Sequence, residues 1–258
     1  MQDLKVAILQ SNLHWENVEE NLNMFSSQIL AIGSEADLIV LPEMFNTGFT
    51  MSSEELAEPM NSVSMQWMLE MARAKDTVIT GSIIIEERGA YFNRLIWMRP
   101  DGTHEHYDKR HLFRMMDENN HYSGGNKRLI VELNGWRICT MICYDLRFPV
   151  WSRNRNDYDC LLYIANWPTP RMEAWNTLLR ARAHENQAYV IGVNRVGEDA
   201  NGTSFSGGSA IIDPKGATIC DTEHEQEQTK SASLSYSELQ DFREKFPIGL
   251  DADSFEIQ

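Results

Sequence analysis

The stretch Leu129-Ile-Val-Glu-Leu133-Asn-Gly-Trp136-Arg-Ile-Cys-Thr-Met-Ile142-Cys143-Tyr-Asp-Leu-Arg-Phe-Pro149 sets the character of the fold. Two apolar runs flank Asn134-Gly135, the dipeptide preferred in a two-residue type I′ turn, and so predict a tight antiparallel hairpin. The second run ends in a thiol and passes at once into polar residues. Cys143 is therefore expected at a strand end that faces a turn.

The same arrangement occurs twice more. Leu38-Ile-Val-Leu-Pro-Glu43 delivers a carboxylate, and His104-Glu-His-Tyr-Asp-Lys109 delivers an ammonium. Three strand ends thus offer an acid, a cation and a nucleophile.

Outward from these blocks, strands and helices alternate. Lys5–Gln10 reads as a buried strand and Trp15–Ala31 as a helix carrying Val18, Leu22, Phe25 and Leu30, stopped by Gly33. A strand over Asp37–Leu41, a helix over Val63–Lys75 with Trp67, Met68 and Met71 on one side, and a strand over Thr77–Ile85 follow. Such alternation marks an α/β layer. Glu87-Arg-Gly-Ala90 and Pro100-Asp-Gly102 are turn signals, so hairpins join the parallel units and the sheet should be mixed. Beyond Cys143 come a short helix near Val150–Asn154, a strand over Cys160–Ala165 and a helix over Met172–Asn186 with Trp175, Leu178 and Leu179 at core spacing. Strands over Tyr189–Val193, Ser209–Ile212 and Ala217–Cys220 then precede a last helix capped by Ser235-x-x-Glu238. Mixed connections and fully apolar strands suggest two sheets face to face with helices outside each, although a doubly wound sheet fits the same composition.

The 258 residues suffice for one large core, and without a linker or repeat a single domain over 1–258 is expected. A formal charge of -15 opposes nucleic-acid or anionic-membrane partners in the absence of a basic patch. Met1-Gln-Asp-Leu-Lys5 lacks a signal-peptide pattern and no apolar run approaches membrane-spanning length, so a cytoplasmic location is expected. Four cysteines without paired spacing suggest reduced thiols, with Cys139, Cys160 and Cys220 as small buried hydrophobes. No metal is expected, since His104-x-His106 lacks a third ligand and is read as a solvated face.

A thiol with its ordinary pKa of about 8.5 is mostly protonated at neutral pH, so a nucleophilic Cys143 needs a base or a cation beside it. Glu43 can serve as the base and Lys109 as the cation. Attack on a carbonyl or nitrile carbon would place negative charge against Lys109 and the backbone N–H of Tyr144. Glu43 would pass its proton to the leaving amine, then activate the water that hydrolyses the thioester. No cofactor is required.

Leu41-Pro42-Glu43, Tyr107-Asp-Lys-Arg-His-Leu112 and Cys143-Tyr-Asp-Leu-Arg-Phe-Pro149 together resemble the nitrilase superfamily of carbon–nitrogen hydrolases, which use a Glu, Lys, Cys triad in that chain order. Arg180-Ala-Arg-Ala-His-Glu-Asn-Gln187, Asn194-Arg-Val-Gly197, Gly207-Gly-Ser209 and Asp213-Pro-Lys-Gly216 extend the resemblance over nearly the whole chain. Lys109-Arg-His-Leu-Phe-Arg-Met115 and Ala165-Asn-Trp-Pro168 look most like the bacterial YafV-type ω-amidase branch. The resemblance implies an αββα four-layer sandwich, a homodimer, and hydrolysis of ω-amides of α-keto acids such as α-ketoglutaramate. Deaminated glutathione or an N-carbamoyl compound is the related alternative, and a non-catalytic dimeric binding protein of the same fold is the contrasting one. It also implies a second glutamate between lysine and cysteine, for which Glu118 is the candidate.

Arg147 and Arg171 are candidates for a bidentate clamp on a substrate carboxylate, Arg147 alternatively bracing its loop through Asp145 or another acid. Trp167 and Tyr144 are expected to line the pocket, whereas Met44, Met115 and Met116 are expected to fill core gaps.

Overall fold

Along β1 (Leu4–Gln10), Leu4, Val6 and Ile8 join one hydrophobic cluster while Ala7 and Leu9 join another, all of them fully buried. A strand buried on both faces must lie between two layers. The computed structural model describes residues 2–33 and 36–257. Met1 and Gln258, the ends of the expected 1–258 domain, and Ser34-Glu35 lie outside the described residues.

The first sheet runs β14 (Gln228–Leu234), β1, β2 (Leu38–Val40), β3 (Val78–Glu87), β4 (Ala90–Met98), β5 (His104–Asp108). The second runs β13 (Thr218–Asp221), β12 (Ala210–Ile212), β9 (Tyr189–Val193), β8 (Cys160–Ile164), β7 (Trp136–Ile142), β6 (Leu129–Leu133). In each, three parallel strands (β1–β2–β3 and β7–β8–β9) are flanked by antiparallel ones, so both sheets are mixed as expected. A separate ribbon pairs β10 (Val196–Glu198) with β11 (Ser204–Ser206).

Leu4, Val6, Ile8, Leu95 and Trp97 of the first sheet share one core with Trp136, Ile138, Leu162 and Ile191 of the second, which places the sheets face to face. Helices α1 (Val18–Leu30) and α3 (Val63–Lys75) cover the outer side of the first sheet, where Phe25, Ile29, Met65 and Met68 meet Leu9, Ile39 and Ile79. On the second, α6 (Met172–Asn186) inserts Trp175 and Leu179. The arrangement is the αββα sandwich rather than one doubly wound sheet. Short helices α2 (Ser53–Leu56), α4 (Glu118–His121) and α5 (Pro149–Ser152) lie in loops, and α7 (Tyr236–Lys245) buries Leu239.

The central hairpin turns at Asn134-Gly135 with φ of 52° and 86°, and the β3–β4 hairpin at Arg88-Gly89 with 56° and 76°, as type I′ turns require. Helices α3 and α6 and strand β9 fall on the residues expected of them. Helix α1 begins at Val18 instead of Trp15 because the Asn17 side chain accepts from Glu20 N–H (3.2 Å) and caps it there. Its buried stripe ends on Ile29 and leaves Leu30 exposed. The sequence did not announce β14, whose mostly polar residues alternate between part-buried and exposed up to the buried Leu234; seven register pairs with β1 make it a strand. Cys220 departs from the expected buried cysteine: it is half-buried on β13, at the sheet edge.

Two glycines let the site-bearing loops approach their strands. A Cβ on Gly81 of β3 would come within 2.9 Å of Leu41 Cβ and within 2.8 Å of the Phe45 ring, the loop that carries Glu43. One on Gly125 would lie 2.2 Å from the Asp108 carbonyl oxygen, where Gly125 N–H donates to the Lys109 carbonyl (2.9 Å). Gly125→Ala is therefore expected to cost about 1–3 kcal/mol by overpacking, measured as a lower Tm in thermal unfolding. Gly33→Ala, with nothing among the described residues within 4 Å of the added methyl, should leave Tm unchanged or slightly raised.

Candidate active site

Strand β2 runs parallel to β3, and β5, two antiparallel steps further on, points the same way. Their C-terminal ends therefore share one edge. Glu43 follows β2 by three residues, Lys109 follows β5 directly, and Cys143 follows β7 on the opposing sheet. This is the carboxyl end of parallel strands, where α/β sheets place their ligands.

Lys109 Nζ donates to Glu43 Oε1 (2.9 Å) and to Glu118 Oε1 (2.9 Å), with all three side chains fully buried. The Phe49 ring lies 4.9 Å from the ammonium. Glu43 Oε1 also accepts from Asn93 Nδ2 (2.8 Å), and its Oε2 accepts from Asn166 N–H (2.8 Å). Asn166 Nδ2 donates in turn to the Glu43 carbonyl (2.6 Å), so Glu43 is held from both sheets. Glu118, the first residue of α4, accepts from Phe113 N–H. The structure thus gathers Glu43, Lys109 and Glu118 into one contact set.

Cys143 begins the 3-10 turn Cys143–Arg147 with φ of 45°, a left-handed conformation that a non-glycine residue adopts only when its surroundings impose it. Its sulfur lies 4.0 Å from the Asn166 carbonyl oxygen. Desolvation first, and then the negative charge of Glu43, push the thiol well above its ordinary pKa, against the opposing pull of Lys109. Cys143 accordingly rests as a thiol, which could act as a nucleophile only after losing its proton to a base. Desolvation alone would lower the Lys109 pKa, but Glu118 and Glu43 more than reverse it and hold the ammonium charged. Lys109 can then stabilise an oxyanion and cannot be the base. Burial, reinforced by Glu43, raises the Glu118 carboxyl despite Lys109.

The thiol opens onto a cleft of about 550 Å³ of empty space including its mouth, within the size range of small-molecule sites. Tyr144, Arg147, Trp167 and Arg171 all line it, beside Lys109 and Phe49. Tyr144 packs edge-on against Phe113 (5.0 Å between centroids) and Phe148 (5.1 Å). The Arg147 guanidinium lies over Trp167 (4.9 Å) and that of Arg171 over Phe113 (5.1 Å). Among the described residues no carboxylate pairs with either, and Asp145 is occupied by other donors, so Arg147 does not brace its loop through it.

Met44 is buried as expected, but Met115 is 71% exposed and Met116 38%, a correction to the core-filling role. Both sit on the short turn Arg114–Met116 at the cleft, where Arg171 Nη2 reaches Met115 Sδ (3.5 Å). Sequence reasoning missed Asn93, Asn166 and Phe49. The first is a lone buried amide inside an apolar strand and the second stands in the quoted Ala165-Asn-Trp-Pro168 block; both signals were legible. Phe49 carries none. Among the described residues no group of three or more His, Cys, Asp or Glu could hold a metal ion.

The carbon-nitrogen hydrolase family profile matches residues 5–244. The chain is 48% identical over 257 residues, covering 100% of both, to the omega-amidase YafV of Escherichia coli. It is 31% identical to the 2-oxoglutaramate amidase of Bacillus subtilis, over 94% of this chain and 95% of that protein. The crystal structure of XC1258 from Xanthomonas campestris, a CN-hydrolase superfamily protein with an arsenic adduct in the active site, superposes with a TM-score of 0.98 and 41% identity, covering 100% of each chain.

Because the Glu43 charge raises the thiol, Glu43→Gln should have opposite effects on two assays. Amide turnover is expected to fall about 10²- to 10⁴-fold with loss of the base. Alkylation of Cys143 by iodoacetamide at pH 7 should become faster, read by intact mass, because Lys109 then acts on the thiol with less opposition.

Proposed function

The chain belongs to the carbon–nitrogen hydrolase family and is an amidase, and on that premise we propose that it cleaves the ω-amide of an α-keto acid, with α-ketoglutaramate preferred, to the acid and ammonia. Cys143 attacks the amide carbon as Glu43 takes the thiol proton. Lys109 and the backbone N–H of Tyr144 hold the oxyanion. Glu43 returns the proton to the departing ammonia, then deprotonates the water that opens the thioester. Glu118 keeps Lys109 directed toward the reacting atoms.

The observation that carries the substrate class is the pair Arg147 and Arg171 in the cleft of Cys143, two guanidiniums without a carboxylate partner among the described residues. The monoanionic ω-amide of a keto acid supplies that partner through its one carboxylate, at the end remote from the amide, whereas a neutral amide leaves both unpaired. The names of the two amidase relatives support the same choice. A homodimer in the cytoplasm belongs to this reading. Four free thiols suit a reducing compartment, and the exposed Val150, Phe246 and Leu250 offer apolar surface for a second copy.

Ammonia release from α-ketoglutaramate, with a thioester adduct visible by intact mass, tests the reading. Cys143→Ala should abolish both, and retained turnover in that variant would overturn the mechanism. Arg147→Gln and Arg171→Gln should raise KM for α-ketoglutaramate about 10- to 100-fold, the worth of a lost charge-assisted hydrogen bond. Turnover of a neutral amide such as propionamide should be nearly unaffected by either change. Equal losses on both substrates would refute the carboxylate clamp.

A further inference from the structure

Asp145 is fully buried two residues beyond the nucleophile, and its carboxylate is shared between the two sheets. From the lysine-bearing segment, its Oδ1 accepts from His111 N–H (3.0 Å) and the His111 ring at Nδ1 (2.7 Å), and its Oδ2 accepts from the Tyr107 hydroxyl (2.7 Å). From the strand that ends at Cys143, Oδ2 accepts from the N–H of Ile142 (3.0 Å), the residue immediately before Cys143. The Tyr107 hydroxyl in turn accepts from Arg110 N–H (3.2 Å) and from Trp151 Nε1 (3.0 Å). The His111 ring is stacked on Phe148 at 3.7 Å, so it too is fixed.

We propose that Asp145 is a positioning residue that sets the separation between Lys109 and Cys143. Lys109 lies between its donors Tyr107 and His111, and Cys143 is bonded directly to its donor Ile142. One carboxylate thus grips the chain on both sides of the lysine and immediately before the thiol. A neutral amide cannot do this. With its nitrogen toward His111 it opposes that backbone N–H, and with its nitrogen toward Ile142 it opposes the other. Either way one segment is released and the ammonium-to-sulfur geometry relaxes. The inference rests on the triad proposed above.

Asp145→Asn is compared with Asp159→Asn, which alters a buried carboxylate held by Arg137 and Arg243 just before β8, away from the cleft. Asp145→Asn is expected to lower kcat about 100-fold, the scale of a misplacement near 1 Å, with KM for α-ketoglutaramate within about twofold. The pH dependence of Cys143 alkylation by iodoacetamide should shift as the thiol's distance from Lys109 changes. Asp159→Asn should lower Tm without moving kcat of the folded enzyme or the alkylation profile. If Asp145→Asn does not fold, Tyr107→Phe, which removes one of the four donors, should give a smaller loss of the same kind. An unchanged kcat and alkylation profile in folded Asp145→Asn, or a loss confined to KM, overturns the proposal. The alkylation profile requires no turnover, so it reads Asp145 even if the substrate or the roles assigned above are wrong.

Discussion

The buried ammonium of Lys109 is the interaction on which the rest of the site depends. A charge removed from water has to be compensated, and removal of one partner from a buried pair typically costs about 3–5 kcal/mol. Here two carboxylates compensate it, and their combined charge exceeds that of the lysine. Burial first, and then the charge of Glu43, pushes the Cys143 thiol and the Glu118 carboxyl upward, while the two carboxylates keep Lys109 protonated. The division of labour proposed above fits these shifts: the lysine stays a cation, the thiol stays protonated until a base takes its proton, and a carboxylate is the base proposed for it.

The same excess constrains the surroundings. Glu43 Oε1 is satisfied by Asn93 and Lys109 together and Oε2 by the Asn166 N–H, so loss of that last donor would strand a buried carboxylate oxygen. The loops that deliver these groups lie close against their strands, which is why Gly81 and Gly125 stand where any side chain would collide with neighbouring backbone or core. Catalytic chemistry and chain packing are therefore specified by the same residues at this edge of the sandwich.

Much of this was legible in the sequence because it was written in local signals. Turn dipeptides, helical stripes and strands that end in a reactive group are each contained within about a dozen residues, and the hairpins, α3, α6 and the three strand ends emerged from them. Strand β14 was not legible, since Gln228–Leu234 is defined by its partner β1 more than two hundred residues away rather than by its own polar side chains. Met115 and Met116 were misread for a related reason: nothing in an apolar side chain says whether the turn that bears it faces the core or the mouth of a cleft. The shared edge of Glu43, Lys109 and Cys143 came from the family resemblance. Its physical reason, a β5 that returns to the direction of β2, is a property of sheet order that no single segment contains.

The triad is divided between the two sheets, with Glu43 and Lys109 on one and Cys143 on the other. Each sheet could keep its hydrogen-bonded ladder while the interface between them loosened, and such an expanded intermediate would retain most of its secondary structure. On the mechanism proposed above it would nevertheless have no active site, because the acid–base half and the nucleophilic half would have drifted apart. On that mechanism activity would gauge how tightly the sandwich is closed, since a partly opened chain would hold its thiol out of reach of the carboxylate.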